Sequence, residues 1–367
     1  MDLDQIRSRM ANCPCGLPHE IRLEALEIRH GLLHETAALL RKFRFPNRLL
    51  LAADEHSFAV TKGLYEQLLS AGFVVELRVY EDTRVAAMET VEELQILLRR
   101  VDGCLSVGTG SVNDVCRLAA FREHKDFAIF ATAPSMDGFA SDSAPIIENG
   151  FKVTIPCFQP RIILADSKIL AESPTELKAA GFGDVLAKYV AIADWRVANL
   201  LHGDYYCERV GQFVRDAVAK MTALADQVPQ QDEEAAVAIL EALVLTGLSM
   251  QFAKTTRPAS GTEHIISHFW ECRKLQQGLI SDFHGKKVAV ATLVTAKSYH
   301  NLTKLKAVKA HPEAVDWEDV KAHYGPGLAE GMMELNLPHS IADEVDPKAV
   351  EEHWPEIVKI IREEIPT

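Results

Sequence analysis

The residues most suited to chemistry are a carboxylate and three imidazoles. His264 and His268 lie four apart in Glu263-His264-Ile265-Ile266-Ser267-His268, so a helix would put both on one face. His284 precedes Gly285 where another helix should begin, and Asp184 closes the run Gly181-Phe182-Gly183-Asp184 at the expected start of a third. Together these groups suit a divalent ion such as Zn²⁺, Ni²⁺ or Fe²⁺. The order is not His-Glu-x-x-His, because Glu263 stands before the pair. Spacing leaves open which of His264 and His268 would ligate and which would support. It does not say whether Asp184 and His284 come near them. Lys188 follows Asp184 by four residues. Its ammonium could pair a substrate phosphate, or pair Asp184 itself on the same helix face. Lys254 and Arg257 are the other basic candidates.

A second set of residues suits a nucleotide. Gly108-Thr109-Gly110-Ser111-Val112-Asn113-Asp114 follows a strand-like run and opens a helix. Small residues let a backbone approach phosphate oxygens, and a helix N-terminus attracts negative charge. Asn113 breaks the G-x-G-x-x-G pattern, and no Gly-Lys-Ser/Thr follows as a Walker loop would require. A tight strand-to-helix turn would look the same. Thr132-Ala133-Pro134-Ser135-Met136-Asp137-Gly138 follows the next strand, with two hydroxyls and a carboxylate. Loops at that end of an open α/β sheet line the ligand crevice, although Asp137 could equally cap a helix. Asp54 ends an earlier strand, where a carboxylate can bind ribose hydroxyls or cap the helix that follows.

Cys13-Pro14-Cys15-Gly16 with His19 resembles half of a metal-binding knuckle. No second Cys pair follows it, so the sequence does not support a structural zinc. The seven cysteines are scattered and show no disulfide framework.

These residues need elements to position them. The chain has 367 residues, 48% hydrophobic and 25% charged, an ordinary globular composition of a size that suits two domains. Lys and Arg number 39 against 52 Asp and Glu, for a formal charge of −13. That balance disfavours nucleic acid and anionic membrane surfaces as partners. The polar start MDLDQIRSRM lacks a signal-peptide core, and no run reaches the ~18 uninterrupted apolar residues of a membrane helix. The expected location is therefore cytoplasmic. Strand-like runs at 48–54, 73–80, 103–107, 127–131, 151–155 and 161–165 alternate with helical patterns at 57–71, 91–100 and 112–121. That alternation predicts a parallel sheet with helices on both faces. From about residue 173 long helical patterns take over, at 186–201, 207–227, 233–255 and 286–300. We therefore expect an α/β domain over 1–175, with an N-terminal extension of about 30 residues, and an all-helical domain over 176–367. A cleft between them would suit a ligand.

Taken together, these segments resemble the iron-containing alcohol dehydrogenase and dehydroquinate synthase superfamily, and within it the sn-glycerol-1-phosphate dehydrogenases. The likeness rests on Gly108–Asp114, Thr132–Ser141, Gly181–Asp184 with Lys188, Arg257–Gly261 with Glu263-His264 and Ser267-His268, and His284-Gly285, in the family's order. The resemblance implies a dehydroquinate synthase-like architecture, an α/β nucleotide domain followed by a helical metal domain. It implies Asp184, His264 and His284 as ligands of one divalent ion (Zn, Ni or Fe), with His268 beside them. It implies NAD or NADP held by Gly108, Gly110, Ser111, Asn113, Asp114, Thr132 and Ser135. Asp54 would take the adenosine ribose, and Asp137 the substrate hydroxyls or the nicotinamide end. Lys188 or a nearby cation would hold a phosphate, and His268 would help deliver a proton. The implied reaction interconverts dihydroxyacetone phosphate and sn-glycerol 1-phosphate in a homo-oligomer, a step of phospholipid biosynthesis. A glycerol or other polyol dehydrogenase and a dehydroquinate-synthase-like lyase are the rival readings. A binding protein on a retired enzyme fold is disfavoured by the intact ligand set.

Overall fold

The computed structural model describes residues 1–148, 151–312, 315–336 and 345–366. Its strands are β1 (Ala25–Arg29), β2 (Arg48–Asp54), β3 (Val74–Tyr80), β4 (Gly103–Gly108), β5 (Asp126–Ala131), β6 (Ser143–Glu148), β7 (Phe151–Pro156) and β8 (Ile162–Asp166). Six of them form one parallel sheet in the order β1-β8-β5-β4-β2-β3. The central strands are continuous apolar runs, and every residue of β4 and β8 is buried. Strands of that kind require cover on both faces.

The order reverses beside β2: the chain goes from β2 outward to β3, then returns to place β4 on the other side. Ala53 pairs with Val107 at the C-terminal edge there. The residues that follow, Asp54 and Gly108, thus open onto the crevice where such sheets bind ligands.

Two sheet expectations are corrected. The stretch expected as an N-terminal extension supplies β1, which pairs in parallel with β8. The run at 151–155 leaves the main sheet and forms an antiparallel hairpin, β6 with β7, from Ser143↔Pro156 to Glu148↔Phe151. Two residues separate these strands, far short of the dozen or so that a parallel crossover needs.

The helices are α1 (Leu3–Met10), α2 (Thr36–Lys42), α3 (Glu55–Val60), α4 (Leu64–Ser70), α5 (Met88–Leu98), α6 (Ser111–Arg122), α7 (Ser167–Glu172), α8 (Thr175–Leu186), α9 (Lys188–His202), α10 (Glu208–Thr222), α11 (Glu233–Ala253), α12 (Thr262–Gln276), α13 (His284–Leu302), α14 (Trp317–Tyr324), α15 (Pro326–Asn336), α16 (Pro347–Glu352) and α17 (Trp354–Glu364). The helix expected over 57–71 is divided into α3 and α4 at Gly63, whose φ of 91° is a left-handed conformation that glycine adopts without strain. Asp184 lies in the last turn of α8, not at the start of a helix.

The chain packs as two compact units, residues 1–192 with 207–295 and residues 193–206 with 296–367. The change from strands to helices does fall near residue 175, but α10 to α12 and most of α13 belong to the sheet's unit. The reason is α11, which packs on α7, α8 and a 3₁₀ turn at Asp137–Ala140. By length and composition α11 could cross a membrane, yet 78% of its apolar window is buried, so it serves as a core helix. In the smaller unit α17 buries Trp354, Ile357, Ile360 and Ile361, and Arg196 pairs with Glu363 at 2.9 Å and Glu364 at 2.6 Å.

Close backbone approaches set the site's geometry. A Cβ on Gly181 would lie 1.9 Å from the Pro134 carbonyl oxygen, and one on Gly285 1.9 Å from that of Ala180. These glycines draw α8 against the 132–138 loop and α13 against α8. From α6, the fully buried Arg117 donates to the carbonyls of Ser143, Gly138 and Phe139, fixing the turn that carries Asp137.

Two predictions follow from this packing. Helix propensity alone favours Gly181→Ala by up to ~1 kcal/mol, whereas the overlap with Pro134 should cost about 1–3 kcal/mol. Urea unfolding should show a net loss; a gain would refute the contact. Asp114, beside Arg117 at 3.6 Å, is pushed by burial from 3.8 up to about 7. Between those values the native state holds a proton that the unfolded chain releases, so stability falls as pH rises. Asp114→Asn should therefore gain stability on wild type between about pH 4 and about pH 8, by at most ~4 kcal/mol. Parallel unfolding curves across that range would contradict it.

Candidate metal centre and nucleotide crevice

Asp184, His264 and His284 come together from the end of α8, the first turn of α12 and the first residue of α13. Each offers one ligand atom, all within 4.8 Å of one another. His264 Nε2 lies 3.5 Å from Asp184 Oδ1. On its other side, His264 Nδ1 donates to Glu263 Oε1 at 2.7 Å. That bond orients the ring and places a proton on Nδ1, so Nε2 is the atom that would ligate once an ion displaces its proton, the arrangement a carboxylate gives behind a metal-bound histidine. The Nδ1 atom of His284 is buried and has no partner among the described residues. A carboxylate and two imidazoles, with one orphaned ring nitrogen, fit a divalent ion with an open coordination position.

His268 sits one turn further along α12, its ring 5.9 Å from that of His264 and 5.5 Å from that of His284. Burial, then the charge on Lys152, pushes His268 down to about 3, so its ring is neutral at ordinary pH. Burial also lowers His284, with Lys152 contributing. Burial works against the charge on His264, but its bonds to Asp184 and Glu263 outweigh this and raise it to about 9.

Lys188 lies beneath this cluster, fully buried. Its ammonium donates to Asp137 Oδ2 at 2.7 Å, Asp184 Oδ1 at 2.9 Å and the Ala259 carbonyl at 2.9 Å. All three protons are used, so these contacts leave none for a substrate phosphate. The Asp137 N–H donates to Asp184 Oδ2 at 2.9 Å. With two carboxylates sharing one cation, burial and then Asp184 raise Asp137. Asp184 is also buried, but Lys188 and the two histidines hold it well below the usual carboxylate range.

Sequence reasoning passed over a group of charges beside the histidines. Lys152 on β7 and Lys287 on α13 both reach Glu271 Oε2, at 2.9 and 3.1 Å. Glu271 follows His268 by three residues on α12, and Lys287 follows His284 by three on α13, so each faces the same way as its histidine. Glu271 is only partly buried; burial works against its charge, yet the two lysines pull it down to about 2. Two cations on one carboxylate leave a positive surplus. A search along each helix for charges three residues after each histidine would have found two of the three. Lys152 could not be found that way, because only the hairpin brings it here. Glu263 was missed as well, since adjacent residues on a helix do not normally face each other.

At the sheet edge Gly110 has φ 49° and ψ −120°, a conformation that favours glycine, and no side chain caps α6 after it. The first N–H groups of that helix are therefore open to an anion. The hydroxyls of Thr109 and Ser135 are hydrogen-bonded, joining the two loops that follow β4 and β5, and those of Ser57 on α3 and Thr132 lie 3.5 Å apart, tying the loop after β5 to the helix after β2. Asn113 and Asp114 are turned inward instead. Asn113 is fully buried and accepts from Ser106 Oγ at 2.6 Å, bracing the helix on β4. Asp54 caps α3, accepting from the Ser57 N–H at 2.7 Å. All of these groups lie in the larger unit.

Residues 27–174 match the iron-containing alcohol dehydrogenase family. A glycerol-1-phosphate dehydrogenase (NAD(P)+) of Halalkalibacterium halodurans is 32% identical over 306 residues, covering 82% of this chain and 76% of the relative. One from Geobacillus stearothermophilus is 32% identical over 334 residues, covering 88% and 82%. Among solved structures, a probable glycerol dehydrogenase from Sinorhizobium meliloti superposes with a TM-score of 0.63 at 17% identity, over 93% of this chain and 98% of that one. The fold is therefore shared with enzymes of differing names, and the sequence match is what separates them. The chain belongs to the glycerol-1-phosphate dehydrogenase family, within the iron-containing alcohol dehydrogenases.

Proposed function

We propose that this protein interconverts dihydroxyacetone phosphate and sn-glycerol 1-phosphate using NADH or NADPH, with one divalent ion held by Asp184, His264 and His284. The observation that carries the reading is the Lys152–Glu271–Lys287 group beside those three donors. It would set a phosphate handle next to the point where a carbonyl oxygen must be polarised. When bound, the ion supplies Lewis-acid polarisation of that oxygen and the nicotinamide supplies the hydride. An Asp/His₂ set suits Zn, Ni or Fe(II).

The chain's own residues do the rest. Gly108, Gly110 and Ser111 would offer backbone N–H groups to the pyrophosphate, with Asn113 and Asp114 bracing the loop from below. Thr132 and Ser135 would line the nicotinamide side. Asp54 keeps its capping bond and would turn its remaining acceptor capacity to the adenosine ribose, which favours NAD because a 2′-phosphate would be repelled. Lys188 holds Asp184 in its ligating orientation and Asp137 at the edge of the site, where its carboxylate would meet a substrate hydroxyl. His268, kept neutral, would orient by a hydrogen bond a water that hands a proton to the new alkoxide and regains one from solvent. Lys152 and Lys287 would take the phosphate, sharing with it the contacts they now make to Glu271. The same reading gives a cytoplasmic homo-oligomer with no nucleic-acid or membrane partner.

NADH absorbance should fall when dihydroxyacetone phosphate is added, stop with chelator and resume with Zn²⁺, Ni²⁺ or Fe²⁺. His264→Ala and His284→Ala should each abolish turnover and lower metal retention; retained metal and full activity in both would overturn the ligand assignment. Charge-assisted contacts of about 1.5–3 kcal/mol imply that Lys152→Ala or Lys287→Met raises KM for dihydroxyacetone phosphate ~10- to 100-fold. KM for NADH and for unphosphorylated dihydroxyacetone should not move. An unchanged phosphate KM would favour a plain polyol dehydrogenase. Lys188→Met should lower metal retention rather than raise that KM, since its protons serve Asp184 and Asp137.

A further inference from the structure

The N-terminal Cys-Pro-Cys segment finds its missing partner far along the chain. Cys13, Cys15, His19 and Cys207 each offer one donor atom, all within 4.8 Å of one another. Cys13 Sγ lies 3.5 Å from Cys207 Sγ, His19 Nε2 lies 3.2 Å from Cys15 Sγ, and Cys207 Sγ lies 3.8 Å from His19 Nε2. Zinc bonds of ~2.3 Å to sulfur and ~2.0 Å to nitrogen give tetrahedron edges of about 3.8 Å between sulfurs and about 3.6 Å from sulfur to nitrogen. The observed separations are close to those edges. They are far longer than a disulfide bond, and the seven cysteines form none.

The surroundings suit a metal as well. His19 Nδ1 lies 3.1 Å from the Phe252 carbonyl at the end of α11. That partner assigns the proton to Nδ1 and leaves Nε2 as the ligand, the usual arrangement behind a metal-bound imidazole. Gly16 has φ 87°, a turn that returns His19 toward Cys15. Cys207 is the N-cap residue of α10, and its side chain makes no capping bond. Burial and the neighbouring thiols raise Cys207 to about 11, while the helix N-terminus works the other way, so a cation would be what makes a thiolate there.

We propose that Cys13, Cys15, His19 and Cys207 form a second metal site, a closed Cys₃His centre for Zn²⁺. It would pin the N-terminal segment to the start of α10 and the end of α11. The segment between α1 and β1 has no helix or strand of its own, so four ligands would supply the fixed points that regular backbone pairing does not. Soft thiolates distinguish this centre from the Asp/His₂ site, which is harder. The proposal does not rest on the catalytic reading.

Co²⁺ is the probe, added to the full-length reduced chain. The wild type should bind about two ions per chain and show thiolate-to-cobalt charge-transfer absorption, the mark of tetrahedral sulfur ligation. His264→Ala/His284→Ala should bind one and keep that absorption. Cys13→Ser/Cys15→Ser should bind one and lose it, retain reduction of dihydroxyacetone phosphate, and melt below the metal-loaded wild type. Cobalt-loaded wild type without thiolate charge transfer would overturn the proposal. So would a Cys13–Cys207 disulfide found by mass spectrometry in protein purified without reductant. The wild-type spectrum decides the matter even where the cysteine variant does not fold.

Discussion

Lys188 is completely buried, and an ammonium in that position is tolerable only because three acceptors surround it. Taking an unpaired charge out of water costs several kcal/mol, and removing one member of a buried pair typically costs about 3–5 kcal/mol. The constraint therefore works in both directions. Lys188 cannot leave without stranding Asp137 and Asp184, and neither carboxylate can turn away without stranding Lys188. Asp184 comes from α8, Asp137 from the turn after β5 and the Ala259 carbonyl from the segment before α12. One cation thus joins the sheet edge to the helices that carry the histidines.

The rest of the site depends on how closely those pieces can approach. Gly181 and Gly285 allow backbone contacts that a single methyl group would block, and they flank the site on the sequence as well as in space. Their effect is to place Asp184 against both the Asp137 turn and the first residue of α13. A carboxylate and imidazole nitrogens within 4.8 Å follow from that packing. At the other side, the reversal of strand order beside β2 brings Asp54 and the Gly108–Gly110 loop to one crevice edge. The Asp184, His264 and His284 cluster and the Gly108–Gly110 loop are linked by the segment 132–138, which leaves β5 at the crevice and carries Asp137.

Charge distribution gives the site its direction. The chain is acidic overall, yet Lys152 and Lys287 share a single carboxylate next to His268 and His284. A local positive surplus of this kind attracts a phosphate despite the net charge. The lowered values of His268 and His284 have burial as their first cause and Lys152 as the second. The same lysine that would bind a phosphate therefore also helps to keep the neighbouring imidazoles neutral, which is the form that binds metal.

The sequence by itself determined the elements whose signal is local. Apolar runs at β2, β4 and β5 demand cover on both faces, so a parallel α/β sheet was legible, as were α6, α11 and the helices carrying His264 and His284. Motif order made Asp184, His264 and His284 a coherent set. Only the tertiary structure decided the contacts between segments distant in the chain. It split α3 from α4 at Gly63, drew β1 into the sheet, and turned the 151–155 run into a hairpin that delivers Lys152. It assigned the protons of Lys188 to two carboxylates and a carbonyl, which i,i+4 spacing could not distinguish from a free ammonium. It brought Cys207 to Cys13, Cys15 and His19 across almost two hundred residues. Periodicity reports which face of an element is apolar; it carries no information about which other element that face will meet.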